Sequence, residues 1–574
     1  MSTSTLARLR DANISWTLHI TTLFASLYYL RLSDISTFLT IYSIITFLFD
    51  GEYLLAALQD PTEPPLIPHP YLPFLGHVIG MFWYGASYFS RVNEKMQYPI
   101  FTLQTMTAKT IGVIDPYLAA PIQRASKNLS FYGMILEVCK RLVGFDETTM
   151  KVIRWNLDGA HGAHEGLMDE GGSMVIAELS PGPSLNAMST VQLDKFSEML
   201  NDFVSGSDSV NISLMDFVKN IFTEANAYTI YGPQNPFAIH PELIQKFWDY
   251  EAGMIAVMAD VFPSITARKP WAARKAINDA LQEFVEREYY RTASPMIQKR
   301  VQINLRHGLT TKMTGRAELI LLFGIIGNAV PTTFWFLANI FARPDLLENI
   351  REETSQAILC TNNPNSDSKE KTISVGDLKT KCPLLVSTYR ETLRSIGNLA
   401  SVRLVTGTHT VTAPGYRPYT LKKGAMVQIA SGVIHSLPSV WGPDAAFFNP
   451  MRFISLTTNT EQFSSETNPN STLAESERTA TALPRGVPSA AFRTFGGGSV
   501  ICPGRHFAQS EILGFVTLCV HMFDIVDRIT GKAFDVPIRD NQRIPLSVMK
   551  PAKEPQVTIK RRTGEENAIW KLEL

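Results

Sequence analysis

The run Phe495-Gly496-Gly497-Gly498-Ser499-Val500-Ile501-Cys502-Pro503-Gly504-Arg505-His506-Phe507 constrains this chain more than any other stretch. Consecutive glycines allow tight turns and let a backbone approach a flat ligand closely. After Gly504, the residues Phe507, Ile512, Leu513, Phe515, Val516 and Cys519 follow helical spacing. Cys502 is therefore expected just ahead of a helix amino terminus, where N–H groups and the helix dipole favour a thiolate.

A thiolate held this way can ligate haem iron and push electron density toward O–O cleavage. Other uses of such a loop fit less well. A phosphate loop ends in Lys-Ser or Lys-Thr, which this run lacks. A nucleophilic cysteine wants a histidine partner, and His506 falls on the expected helix. A plain glycine-rich turn around a buried cysteine stays open on these residues alone.

The 574 residues carry 53 Lys plus Arg against 53 Asp plus Glu, for a formal net charge of zero. That excludes a chain-wide basic field, and no nucleic-acid partner is expected. Charged residues are 18%, below the roughly 25% of typical soluble domains, so a large core is available. The five cysteines are odd in number and contain no Cys-x-x-Cys pair, which argues against a disulfide framework or zinc ribbon.

Two runs without Asp, Glu, Lys or Arg open the chain, Ile14 to Leu30 and Ile35 to Phe49. Each is a little short of the roughly 20 residues that span a bilayer. A proline-rich stretch from Pro61 to Pro73 follows, stiff enough to separate an anchor from a globular body. Residues 1–60 are therefore read as a membrane anchor of one or two short spans, 14–30 and 35–49, and 61–574 as a single body.

That body reads as mainly α with minor β. Helical periodicity covers Leu193 to Phe203, Pro241 to Ala259, Ala272 to Thr292 and Glu318 to Phe341. Short β-branched runs at 402–405, 409–412 and 425–429, punctuated by Gly and Pro, predict a small sheet of hairpins. A polar loop insertion is expected near 456–489, rich in Ser, Thr, Asn and Glu. His161 and His164 fit no zinc-binding spacing.

The cysteine run, read as Phe-x-x-Gly-x-x-x-Cys-x-Gly, resembles the haem loop of the cytochrome P450 family. Other landmarks appear in the family's order. Glu391-Thr392-Leu393-Arg394 resembles the Glu-x-x-Arg helix motif, and Phe448-Asn449-Pro450-Met451-Arg452-Phe453 resembles the motif whose arginine joins that pair. The resemblance implies a single cytochrome P450 fold over 61–574, with haem b held by Cys502 as axial ligand. It places Phe495, Gly498 and Gly504 in the haem-binding loop, makes Glu391, Arg394 and Arg452 a structural core, and points to Arg403 as a propionate ligand.

The pattern also departs from the family. Val500 stands where a basic residue is common, two positions before the cysteine, and no Trp-x-x-x-Arg is evident. In the expected oxygen-activating helix, Val330-Pro331 replaces the usual acid and threonine. This variant is similar to the subgroup of sterol 7α-hydroxylase, sterol 12α-hydroxylase and prostacyclin synthase. Asn328 and Thr332 are then the candidates for a proton relay, against the simpler role of satisfying a kinked helix backbone.

The resemblance implies a membrane-anchored monooxygenase that oxidises a lipophilic small molecule with O2, in the biosynthesis of a terpenoid, steroid or polyketide secondary metabolite. It places the chain in the endoplasmic reticulum membrane with the catalytic domain facing the cytosol. No dinucleotide fingerprint is present, so electrons are expected from a separate NADPH-cytochrome P450 reductase-type flavoprotein. Two alternatives are a haem-thiolate isomerase or dehydratase that needs no O2, and a non-catalytic haem- or sterol-binding membrane protein.

Overall fold

The computed structural model describes residues 51–574 except 107, 158–165, 204–208, 363–368, 399, 458–476 and 542–547. The runs 14–30 and 35–49, His161, His164 and most of the 456–489 insertion lie outside the described residues.

Strands β1 (Ile100–Gln104) and β2 (Lys109–Val113) precede α1, Pro116–Arg124. Asp115 caps α1 by accepting the Tyr117 and Leu118 N–H groups, and Pro116 fills the first turn, where its missing N–H costs nothing. Then come β3 (Leu129–Ser130), α2 (Leu167–Leu179), α3 (Pro183–Asp202), α4 (Leu214–Tyr231), α5 (Leu243–Ala252) and α6 (Arg268–Glu286). The long α7 (Thr311–Phe341) and α8 (Pro383–Ile396) lead to β4 (Ala400–Val405) and β5 (Met426–Ala430), and α9 spans Arg505–Met522.

Helix α7 starts seven residues earlier than the periodicity predicts, because Thr310 caps it through the Met313 N–H. Apolar nearly all round from Ile326 on, it packs against α4, α6, α8 and α9. Among the described residues it is the one helix long and apolar enough to cross a membrane, and its burial makes it the core helix of the body. The helix expected over 241–259 breaks at Gly253, where Pro270 Cγ lies 2.3 Å from the place a Cβ would take. The helix expected to reach Thr292 ends at Glu286, just before the left-handed Glu288.

The β prediction needs correction. The hairpin His409–Val411/Tyr419–Leu421 forms a sheet of its own. The strands on either side of it join β1 and β2 in a five-stranded sheet, order β1-β2-β5-β4-β3, with β5 parallel to β2. The polar insertion is likewise not loop throughout, because Ile454–Thr457 pairs antiparallel with Glu477–Ala480 at its ends.

The core fixes the body of α9, the helix that follows Cys502. Phe515 of α9 meets Phe196 of α3 at 5.0 Å and Phe222 of α4 at 4.8 Å between ring centroids. Such aromatic contacts add about 0.5–1.5 kcal/mol each beyond the area they bury.

Candidate active site

The loop before α9 is closed by its own backbone. The Cys502 N–H donates to Phe495 O at 2.9 Å, and the Gly496 N–H donates to Arg493 O at 3.0 Å. Gly496 and Gly498 adopt φ of 78° and 65°, in the left-handed region that favours glycine. Gly498 is needed twice over, because a Cβ there would stand 2.8 Å from Gln123 O on α1. Gly504 differs, since a Cβ would meet only Cys502 Sγ at 3.8 Å and Leu179 Cδ1 at 4.0 Å.

Cys502 and Cys360 are exposed, whereas Cys139, Cys382 and Cys519 are buried. Partial burial pushes the Cys502 thiol above its ordinary pKa, while the Gly504 N–H and nearby Arg505 pull it down. A coordinating metal ion deprotonates a thiol outright.

Behind this loop the structure brings together Glu391, Arg394 and Arg452. Glu391 is fully buried. Arg394 donates to it through Nε and Nη2, both at 2.7 Å, and Arg452 Nε donates at 3.1 and 3.2 Å. The Asn449 N–H donates to the same carboxylate at 2.9 Å. Arg394 also holds the carbonyls of His435 and Ala445, while Arg452 takes a second carboxylate, Asp444, at 2.9 and 3.0 Å. Two guanidinium forks thus join α8 to the segment 435–452, with every charge paired.

A different charge pattern lies beside the cysteine loop. Arg403 on β4 is 3% exposed, and Arg493 is 1% exposed. Arg403 Nη1 donates to Val402 O at 2.8 Å and Ser401 Oγ at 3.2 Å, and its guanidinium lies 5.1 Å from the Phe131 ring centroid. Arg493 Nη1 donates to Gln123 Oε1 at 2.9 Å. Arg403 Nη2, Arg493 Nε and Arg493 Nη2 have no partner, and neither arginine has an acidic one among the described residues. Desolvation, with the charge of nearby Arg403, brings the Arg493 pKa down to about 10. Buried donors on two cations fit a ligand that carries carboxylates, and haem b carries two.

His435 is a structural residue here. Its Nδ1–H donates to Gly397 O at 2.8 Å and its Nε2 accepts the Arg493 N–H at 2.9 Å, which sets the neutral tautomer. Burial brings its pKa down to about 3.

On α7, Leu321, Gly324, Ile325 and Asn328 share one face and are the more open positions of a mostly buried stretch. Gly324 is exposed, with nothing within 4 Å of the place a Cβ would take. That face is apolar apart from Asn328. Thr332 is buried and its hydroxyl donates to Asn328 O at 2.7 Å. Pro331 has no N–H to give to the carbonyl one turn back.

The family model for Cytochrome P450 matches residues 182–558. The chain belongs to the cytochrome P450 family. This P450 is 30% identical to a cytochrome P450 monooxygenase of Gibberella zeae, over 89% of its own length and 91% of the relative's. It is 29% identical to cytochrome P450 monooxygenase nodJ of Hypoxylon pulicicidum, over 90% and 93%. It is 22% identical to human 7-alpha-hydroxycholest-4-en-3-one 12-alpha-hydroxylase, over 86% and 92%. As a cytochrome P450 it is a haem-thiolate monooxygenase whose cofactor is haem b on a cysteine thiolate.

Sequence reading missed three residues here: Arg493, Gln123 and the role of Asp444. Arg493 lies two residues before Phe495, outside the motif that drew attention to the loop. Gln123 is brought in only by the packing of α1 on the glycines.

Proposed function

We propose that this P450 is anchored to a membrane by residues 1–60 and hydroxylates a lipophilic small molecule of the terpenoid, steroid or polyketide kind, with Cys502 as the axial ligand. The observation that carries the ligand assignment is the exposed Cys502, closed onto Phe495 O, beside buried arginines with unused donors. Haem bound there would supply O2 activation. Arg403 would hold a propionate, and Glu391, Arg394 and Arg452 would keep the support behind the loop rigid. Phe495, Gly498 and Gly504 would shape the loop against the cofactor face.

The apolar open face of α7 would receive the substrate, and Asn328 would offer the polar group from which protons pass, with Thr332 holding the helix carbonyl beside it. Fungal relatives support a secondary-metabolite role. The endoplasmic reticulum membrane suits such a chain, with the body facing the cytosol and electrons delivered by an NADPH-cytochrome P450 reductase-type flavoprotein. Exposed Val78, Ile79, Phe82 and Trp83 in the helix Gly76–Tyr84 fit a bilayer close to the anchor.

The test of the ligand is the reduced carbon-monoxide difference spectrum of wild type and Cys502→Ser. A red-shifted thiolate-type band that the variant lacks is expected, and a band retained in Cys502→Ser overturns the assignment. The Val330-Pro331 replacement and the inward-bonded Thr332 hydroxyl favour a second reading, an isomerase or dehydratase. Product formed with 18O2 decides between them, because only the monooxygenase incorporates the label.

A further inference from the structure

We propose that Arg493 is the main carboxylate anchor for the haem propionates in this chain, with Arg403 as its partner, and that it supplies the charge absent at Val500. This rests on the reading of Cys502 as iron ligand.

The free edge of Arg493 decides its use. A guanidinium offers a two-donor edge, Nε with Nη2, that matches one carboxylate bidentately. In Arg493 the Nη1 atom is taken by Gln123, and Nε and Nη2 are the two atoms left without a partner. In Arg403, Ser401 and Val402 take Nη1, and Nη2 is a buried donor without a partner. Burying such donors unpaired is costly, and neither side chain is open enough for bulk water to satisfy them. Two cations with partnerless buried nitrogens correspond to two carboxylates, with the complete Nε–Nη2 edge free on Arg493.

The backbone aims the fork. The Arg493 carbonyl accepts the Gly496 N–H at the start of the turn that ends in Cys502, and its N–H is held by His435 Nε2. His435 is neutral in this arrangement, so it orients Arg493 without adding a third positive charge. Gln123 packs against Gly497 and holds Nη1, which restrains the guanidinium from behind. Val500, half-buried in the single turn Gly498–Val500, brings no charge to the loop.

The experiment follows haem transfer from the holoenzyme to excess apomyoglobin, with the propionate-bending band in resonance Raman spectra of the same samples. Arg493→Lys keeps the charge and removes the fork. It is expected to shift the propionate band and release haem severalfold faster. Arg493→Met is expected to release haem about ten- to a hundredfold faster, the range for a lost charge-assisted hydrogen bond. Arg403→Met should have the smaller effect. A propionate band unmoved in Arg493→Lys, with haem release at the wild-type rate, overturns the proposal. Should Arg493→Met give no haem-loaded protein, Arg493→Lys still decides it. The reduced carbon-monoxide spectrum of each sample reports cysteine ligation separately, so failure of the Cys502 reading is seen on its own.

Discussion

Replacing Arg394 by Met tests how much of this fold hangs on the buried carboxylate of Glu391. The substitution removes two 2.7 Å bonds to Glu391 and leaves the His435 and Ala445 carbonyls without their guanidinium donor. Arg452 and the Asn449 N–H stay on Glu391, so the charge is not fully abandoned. Breaking one side of a buried pair costs about 3–5 kcal/mol. Unfolding entropy is about 2 cal/mol/K per residue, or about 1 kcal/mol/K for roughly 500 residues, so the loss reads as a melting temperature about 3–5 °C lower. Arg452→Met should cost less, because the half-exposed Asp444 can return to water and Arg394 keeps its fork on Glu391. Arg394→Lys should not rescue, since an ammonium cannot span both carboxylate oxygens and the carbonyls. The assay is the thermal loss of Soret absorbance in haem-loaded protein. Equal melting temperatures for Arg394→Met and wild type, or a larger loss in Arg452→Met, would refute the reasoning.

Gly498→Ala forces a Cβ at φ 65° to within 2.8 Å of Gln123 O, so the haem content of purified protein should fall severalfold; full loading would show that the loop yields easily. Burial raises the Glu511 pKa to about 8, above its ordinary 4.5, against a lowering bond from Asn226. The folded state then holds a proton that the unfolded state has released, and stability falls as pH rises from 4.5 to 8. Glu511→Gln should remove that slope in denaturant midpoints, with wild type and variant converging near pH 4.5. On the acid side, burial depresses His77 to about 4 and His435 and His521 to about 3, from 6.5. Their contribution is complete above pH 6.5 and is lost as pH falls toward 4 and 3, at about 1.4 kcal/mol per pH unit for each group. Denaturant midpoints that stay flat between pH 6.5 and 5 would contradict those burials.

Local chemistry in the sequence carried the reading a long way. Glycine spacing and a helical repeat placed Cys502 ahead of α9, and the apolar period located α7, because both signals lie within a few residues of the atoms they organise. Strand pairing was different. The 402–405 and 425–429 runs were recognisable as strands, yet their outer neighbours β3 and β2 lie about 300 residues earlier in the chain. Nothing in a local pattern states that partner.

The site divides in the same way. Glu391 and Arg394 sit one helical turn apart and are readable as a pair, and the motif at Arg452 supplied the third member. Asp444, Gln123 and Arg493 join only through contacts between distant segments. By itself the sequence determined where Cys502, the turn-forming glycines and the long apolar helix fall, since turn residues and apolar periods are local properties. Only the tertiary structure decided which donors are left unused in a buried place. An unpaired guanidinium edge is a property of everything packed around it, and that environment is assembled from α1, β4 and the loop before α9.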